Sequence, residues 1–176
     1  MAELARLGGA LGCAGLALLL VSARRDLRLA GLAAWAVGAA LLAAYLAPAG
    51  LGLELAAAGA GGLVLAGFGA AGLLRWPWAL AFATLAFVPV RVPVTIGSEE
   101  ANLLVPLYAV VTALALSLAW RLARGDPRSR ELGPVAWPLA AFVLWTGLSL
   151  TWALDVEKGS IVLVTFVLPF GLLAIG

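Results

Sequence analysis

Arg91-Val-Pro-Val-Thr-Ile-Gly-Ser-Glu-Glu-Ala-Asn-Leu-Leu-Val-Pro-Leu-Tyr108 is a long polar interruption in a chain that is otherwise built from apolar runs. Pro89 and Pro93 bias the residues before them away from helix, so Val88–Val94 reads as extended. A helix is expected to begin near Ala101 and to run to about Trp120, with Pro106 one turn in. The stretch decides the fold because apolar runs of spanning length lie on either side of it. Roughly 20 such residues cross a bilayer as a helix, so the polar stretch reads as a hinge between membrane helices.

Composition supports that class. The 176 residues are 64% hydrophobic and 11% charged, with a mean hydropathy of +1.10. A soluble domain carries about 25% charged residues, so this chain cannot cover a water-facing surface. Transmembrane barrels need strands that alternate apolar with polar residues, and these runs do not alternate. The expected fold is all-α and polytopic, a single domain of about seven transmembrane helices over residues 1–176. The net charge of +2, without a basic stripe, argues against a nucleic-acid partner. Histidine is absent and Cys13 is the only cysteine. Disulfides, His/Cys metal sites, Cys–His catalysis and Ser–His triads are therefore excluded.

The segments follow from the apolar runs. The first spans about Leu7 to Val21, with Gly8, Gly12 and Gly15 on one face, a pattern that lets helices approach closely. Val21-Ser-Ala23 has the small residues of a cleavage site, but Arg24 and Arg25 behind it oppose translocation. Cys13 has too short an apolar stretch before it for a lipoprotein box. Arg24-Arg-Asp-Leu-Arg28 reads as a basic loop. The second segment runs from about Leu29 to Leu46, and the third, rich in glycine, from about Leu53 to Leu74. Arg75-Trp-Pro-Trp78 reads as an interfacial turn. The fourth segment, Trp78 to about Val90, spans only about 20 Å, so either its neighbours extend it or the bilayer thins. Arg121–Glu131 is a basic loop, and the sixth segment covers Val135 to about Trp152. Asp155-Val-Glu-Lys158 reads as a polar loop, and the seventh segment starts near Gly159 with Pro169 inside it.

Loop charge sets the expected orientation. With seven spans, Arg24, Arg25, Arg28, Arg75, Arg121, Arg124, Arg128 and Arg130 share one face, leaving Arg6, Arg91 and Lys158 for the other. The amino terminus is then outside, the chain end is inside, and the Arg91 stretch shares the outer face with Asp155–Lys158.

Three residues on that face are candidate substrate-binding groups. Arg91 can grip a phosphate or carboxylate bidentately, or anchor the segment against Glu99 or Glu100. Asn102 can contact a ligand or cap the fifth helix, a role for which Ser98 competes. Asp155 can bind or simply cap a helix beside Lys158. Glu99 and Glu100 are adjacent and hence poorly placed as an acid/base pair. No residue is assigned as catalytic, and neither a metal nor a cofactor is expected.

Arg91-Val-Pro-Val-Thr-Ile-Gly97, with Ala101-Asn-Leu-Leu-Val-Pro-Leu-Tyr108, resembles the amino-terminal half of the bacterial O-antigen ligase and polymerase family. Trp137-Pro-Leu-Ala-Ala-Phe-Val-Leu-Trp-Thr-Gly-Leu-Ser-Leu-Thr-Trp152, Asp155 and the Leu168-Pro-Phe170 run extend the resemblance, which covers residues 85–176. It implies an inner-membrane glycosyltransferase of polysaccharide assembly, moving a glycan from an undecaprenyl-pyrophosphate carrier to an acceptor. The family's catalytic arginines and histidine lie on an external loop of its later half, and none can be carried over here. The chain therefore looks like a front half, inactive alone, whose partners would be membrane lipid, the carrier-linked glycan and a second polypeptide supplying the later half. A transporter or channel component, which would place ionisable residues in mid-membrane, is the alternative, as is a non-catalytic membrane scaffold.

Overall fold

A computed structural model describes residues 2–46, 52–87, 90, 92–96, 99–103, 105–125 and 133–175; for 52–61, 92–96, 99–103 and 105 it describes the backbone alone. The chain is helical, with helices α1 (Ala2–Val21), α2 (Arg25–Leu46), α3 (Gly52–Arg75), α4 (Ala79–Phe87), α5 (Val105–Arg124) and α6 (Ala136–Ser149). The last helix, α7, is Val156–Leu173. A hairpin of β1 (Val92–Ile96) and β2 (Glu99–Leu103) separates α4 from α5. Among the described residues, four helices are long and apolar enough to cross a membrane: α1, α2, Pro106–Arg124 of α5, and α7. This is a multi-pass membrane protein.

Several boundaries differ from the sequence expectation. The basic stretch Arg24–Arg28 is not a loop: α2 begins at Arg25, and Arg28 is a buried residue. Asn102 does not cap α5, because Ala101, Asn102 and Leu103 belong to β2. Helix α5 starts only at Val105, which places Pro106 in its first turn, where its missing N–H is not needed. Helix α4 is nine residues long, about 14 Å, shorter still than expected. Helix α7 begins at Val156, so Lys158 lies in its first turn.

Two compact units divide the described chain. The first comprises Met1–Leu46 and Ala119–Ile175, the second Ala47–Leu118. In the first, α1 is the central helix and packs on α2, α6 and α7. Its glycines make that possible by leaving backbone against backbone. A Cβ on Gly15 would run into Gly31 O and Trp35 N of α2, and one on Gly38 into Gly12 of α1. On another side of α1, a Cβ at Gly147 of α6 would run into Cys13 Cβ and lie 3.0 Å from Gly9 O. Without a hydrophobic drive between helices in lipid, such close van der Waals contact is what associates them.

Helix α7 widens into a π-turn over Leu163–Val167, where Leu168 N–H donates to Leu163 O. Pro169 follows at once. A proline ring clashes with the carbonyl four residues back and offers no donor, and one wide turn relieves both problems. Beside it, the buried Trp35 indole N–H of α2 donates to Leu168 O at 3.2 Å, so no indole donor is stranded in an apolar interior.

In the second unit, Ala66, Ala70 and Leu73 form the buried face of α3. The hairpin is antiparallel, pairing Val92 with Leu103, Pro93 with Asn102 and Ile96 with Glu99. A two-stranded sheet leaves open edges, which hydrocarbon does not tolerate, so the hairpin does not lie open to lipid in the bilayer core.

Candidate functional site

The α6–α7 corner in the first unit holds Asp155, one of the three candidate groups. Helix α6 ends at Ser149, and a short turn carries Thr151 and Trp152 before α7. Asp155 is the N-cap of α7: its carboxylate accepts the backbone N–H of Lys158 at 3.0 Å, satisfying one of the orphan donors of the first turn. Lys158 Nζ stands 3.5 Å from the second carboxylate oxygen. The Lys158 amide holds the Asp155 carboxyl below its ordinary value against an opposing effect of desolvation, with lesser help from the Lys158 side chain. A carboxylate held down in this way stays ionised and is a poor general base.

A cleft of about 270 Å3 opens beside this cap, lined in part by Thr146, Ser149, Ala153, Lys158 and Gly159. The hydroxyls spend their protons on the backbone: Thr146 on Phe142 O at 2.8 Å, Ser149 on Thr146 O at 2.8 Å. They keep acceptor lone pairs for a ligand, and Lys158 adds a cation. Gly159 lets α7 approach, since a Cβ there would lie 2.6 Å from Leu150 Cδ1. Trp145 and Trp152 stack edge to face at 5.7 Å on the same corner. Such a site can hold a polar group; it has no group tuned to transfer a proton.

The other candidates lie elsewhere. Asn102 is in the second unit, in β2, paired with Pro93. Arg91 lies outside the described residues. So do Ser98 and the basic residues Arg128 and Arg130.

A larger feature of the second unit carries no candidate residue. An apolar groove of about 860 Å3 runs along α3, α4 and α5, from Trp76 and Gly72 at one end to Phe87 and Pro106 at the other. It exists because Gly62 and Gly72 have nothing within 4 Å of where a Cβ would stand. A run of glycine on α3 is the sequence signal for it, although glycine alone cannot say whether the gap is filled by a neighbouring helix. Sequence reasoning also missed buried Arg28. The α2 positions Arg28, Gly31, Leu32, Trp35, Gly38 and Leu42 are its buried residues, and their three-to-four spacing is a helical stripe that begins at the arginine.

No protein-family model, no curated protein and no solved structure matches the chain.

Proposed function

We propose that this is an inner-membrane protein of cell-envelope polysaccharide assembly that holds a polyprenyl-pyrophosphate-linked glycan, in the manner of the O-antigen ligase family. The observation that carries the reading is the groove of about 860 Å3 along α3, α4 and α5. Its walls are apolar and it is of a size with known ligand clefts, about 300–1,000 Å3. Phe87 and Pro106 close the end from which the chain leads into Arg91 and the hairpin. A pyrophosphate gripped by Arg91 would therefore have its tail enter the groove at that end, with Asn102 of the same hairpin as a further polar contact.

In this reading the chain crosses the bilayer seven times, with the amino terminus outside and α4 traversing a locally thinned bilayer. One arrangement supports it. Arg25 Nη2 donates to Ala123 O at 2.7 Å, so the arginines that open α2 stand beside those that close α5, as the loop-charge rule requires. Glycan transfer needs cations on the departing diphosphate and a base for the acceptor, and a second polypeptide would supply them.

A photoreactive polyprenyl pyrophosphate tests the reading. Crosslinking is expected on α3 or α5, competed by unlabelled carrier and reduced in Gly72→Leu, whose side chain fills the groove. Crosslinking that ignores both competitor and Gly72→Leu would remove the carrier from the groove.

A further inference from the structure

A second cleft, in the first unit, has a different character. It measures about 630 Å3 and lies between the carboxyl-terminal half of α1 and the amino-terminal half of α6, with Leu27 of α2 beside it. Ala14, Leu18 and Val21 form one wall, Trp137, Ala141 and Leu144 the other. Each wall spans eight residues, or seven helical rises, so the cleft descends about 10 Å along the helices. Its upper rim carries Ser22, next to the Arg24 whose backbone N–H donates to the Ser22 hydroxyl at 3.2 Å.

That rim sits at the most basic end of the unit. Arg24, Arg25 and Arg28 enter α2, and the Arg25 contact to Ala123 O brings the last turn of α5, with Arg121 and Arg124, to the same end. Asp26 is the one acid that the described residues place there. Three of these cations are held rather than free to swing away. Arg25 is tied to the α5 carbonyl, Arg124 lies 4.4 Å over the Trp120 ring, and Arg28 is 2% exposed. Arg24 is exposed beside the cleft mouth.

We propose that this cleft binds an anionic phospholipid, one acyl chain between α1 and α6 and the phosphate under Arg24 and its neighbours. Three features meet here, the first and last suited to any phospholipid and the second to an anionic one. The walls are apolar to a depth of about 10 Å, the rim is cationic, and Trp137 sits where an indole bridges the headgroup and acyl layers. Basic pockets between membrane helices recognise anionic headgroups in this way. The site is independent of the glycan reading, since it lies in the other unit and uses none of Arg91, Asn102 or Asp155.

The test uses the purified full chain, stripped of lipid in a neutral detergent, with phosphatidylglycerol or phosphatidylcholine added. Thermal unfolding followed by tryptophan fluorescence should shift upward with phosphatidylglycerol alone, and native mass spectrometry should retain one such lipid. Arg24→Gln, at an exposed position, should weaken retention about fivefold, the effect of one arginine at a lipid surface. Ala141→Phe, also exposed, should abolish it while leaving far-ultraviolet circular dichroism unchanged; Ala14→Leu serves should Ala141→Phe misfold. Equal retention of phosphatidylcholine would overturn the headgroup site. Unchanged phosphatidylglycerol binding in both Arg24→Gln and a cleft-filling variant would place the lipid elsewhere. A dimer that phosphatidylglycerol cannot displace, and that filling the cleft abolishes, would make the occupant a second copy of this chain.

Discussion

Gly38→Ala is the substitution that most directly tests the packing of the first unit. The added Cβ would run into Gly12 N and Cα, and would lie 2.6 Å from Gly8 O. A comfortable separation is about 3.5 Å, so α1 and α2 must part by about 1 Å. Neither partner is the end of a flexible side chain, and backbone atoms inside two helices cannot turn aside. A radial gap of about 0.5–1 Å forfeits a quarter to a half of each contact, itself about 0.1–0.2 kcal/mol. With about 20 atom pairs at the crossing the loss is about 0.5–2 kcal/mol, overlapping the roughly 1–3 kcal/mol found for overpacked cores.

The assay is reversible unfolding in mixed detergent micelles, read by tryptophan fluorescence and circular dichroism. Gly62→Ala and Gly72→Ala are the controls, since nothing lies within 4 Å of either added Cβ. Both should fall within about 0.5 kcal/mol of the parent, or gain up to about 1 kcal/mol from the better helix former. Gly38→Ala unfolding at the same detergent fraction as Gly62→Ala would refute the backbone-to-backbone crossing.

Trp35→Phe removes the indole donor to Leu168 O and some packed volume. It should cost about 1–2 kcal/mol in the same assay, only part of which is the hydrogen bond. Asp155 is held below its ordinary pKa by the Lys158 amide, so the stability it contributes is present above its unfolded pKa and lost as pH falls through the folded one. An acid titration should therefore show a shallow loss of stability below about pH 4 that is missing in Asp155→Ala. Reporters fused after Arg128 and after Ser98 should report opposite sides of the membrane; the same side for both would end the seven-crossing arrangement. Arg91→Lys should lower crosslinking by the photoreactive carrier while leaving membrane insertion intact, because lysine lacks the guanidinium fork; unchanged crosslinking would leave Arg91 as an anchor.

The membrane class was legible because it rests on composition and on runs of spanning length, which no tertiary contact can reverse. The small face Gly8, Gly12, Gly15 was legible too, and α2 does approach α1 at those residues. What the sequence hid was register at the polar stretch. The notion that helix five starts at Ala101 came from the apolar run after it, yet Glu99–Leu103 pairs with Val92–Ile96. Gly97-Ser98 between two short runs was the available hairpin signal, and Pro93 weakened it because proline is rare within strands. Arg28 was hidden for a different reason: charge suggests solvent, and only the stripe through Trp35 and Leu42 shows that α2 turns Arg28 inward. The candidate site was the least legible part. Asp155 could be placed at a helix start by residue type, but whether a cleft opens beside it depends on how α6 and α7 meet.

Glycine does two opposite things in this chain, and sequence alone does not separate them. Where α1 crosses α2, Gly8, Gly12 and Gly15 are matched by Gly38 and Gly31, so the missing side chains are replaced by backbone. On α3, Gly62 and Gly72 have nothing within 4 Å, and the missing side chains become open groove. In water such a helix would be penalised twice, by about 1 kcal/mol per glycine in propensity and by the unfilled surface. In a bilayer the backbone has no competing partner, and lipid fills the gap. A glycine-lined groove is therefore affordable only where an alkyl chain is always at hand to occupy it. The distinction is experimental: filling a matched glycine costs stability, whereas filling an unmatched one on α3 costs only what the groove would have held.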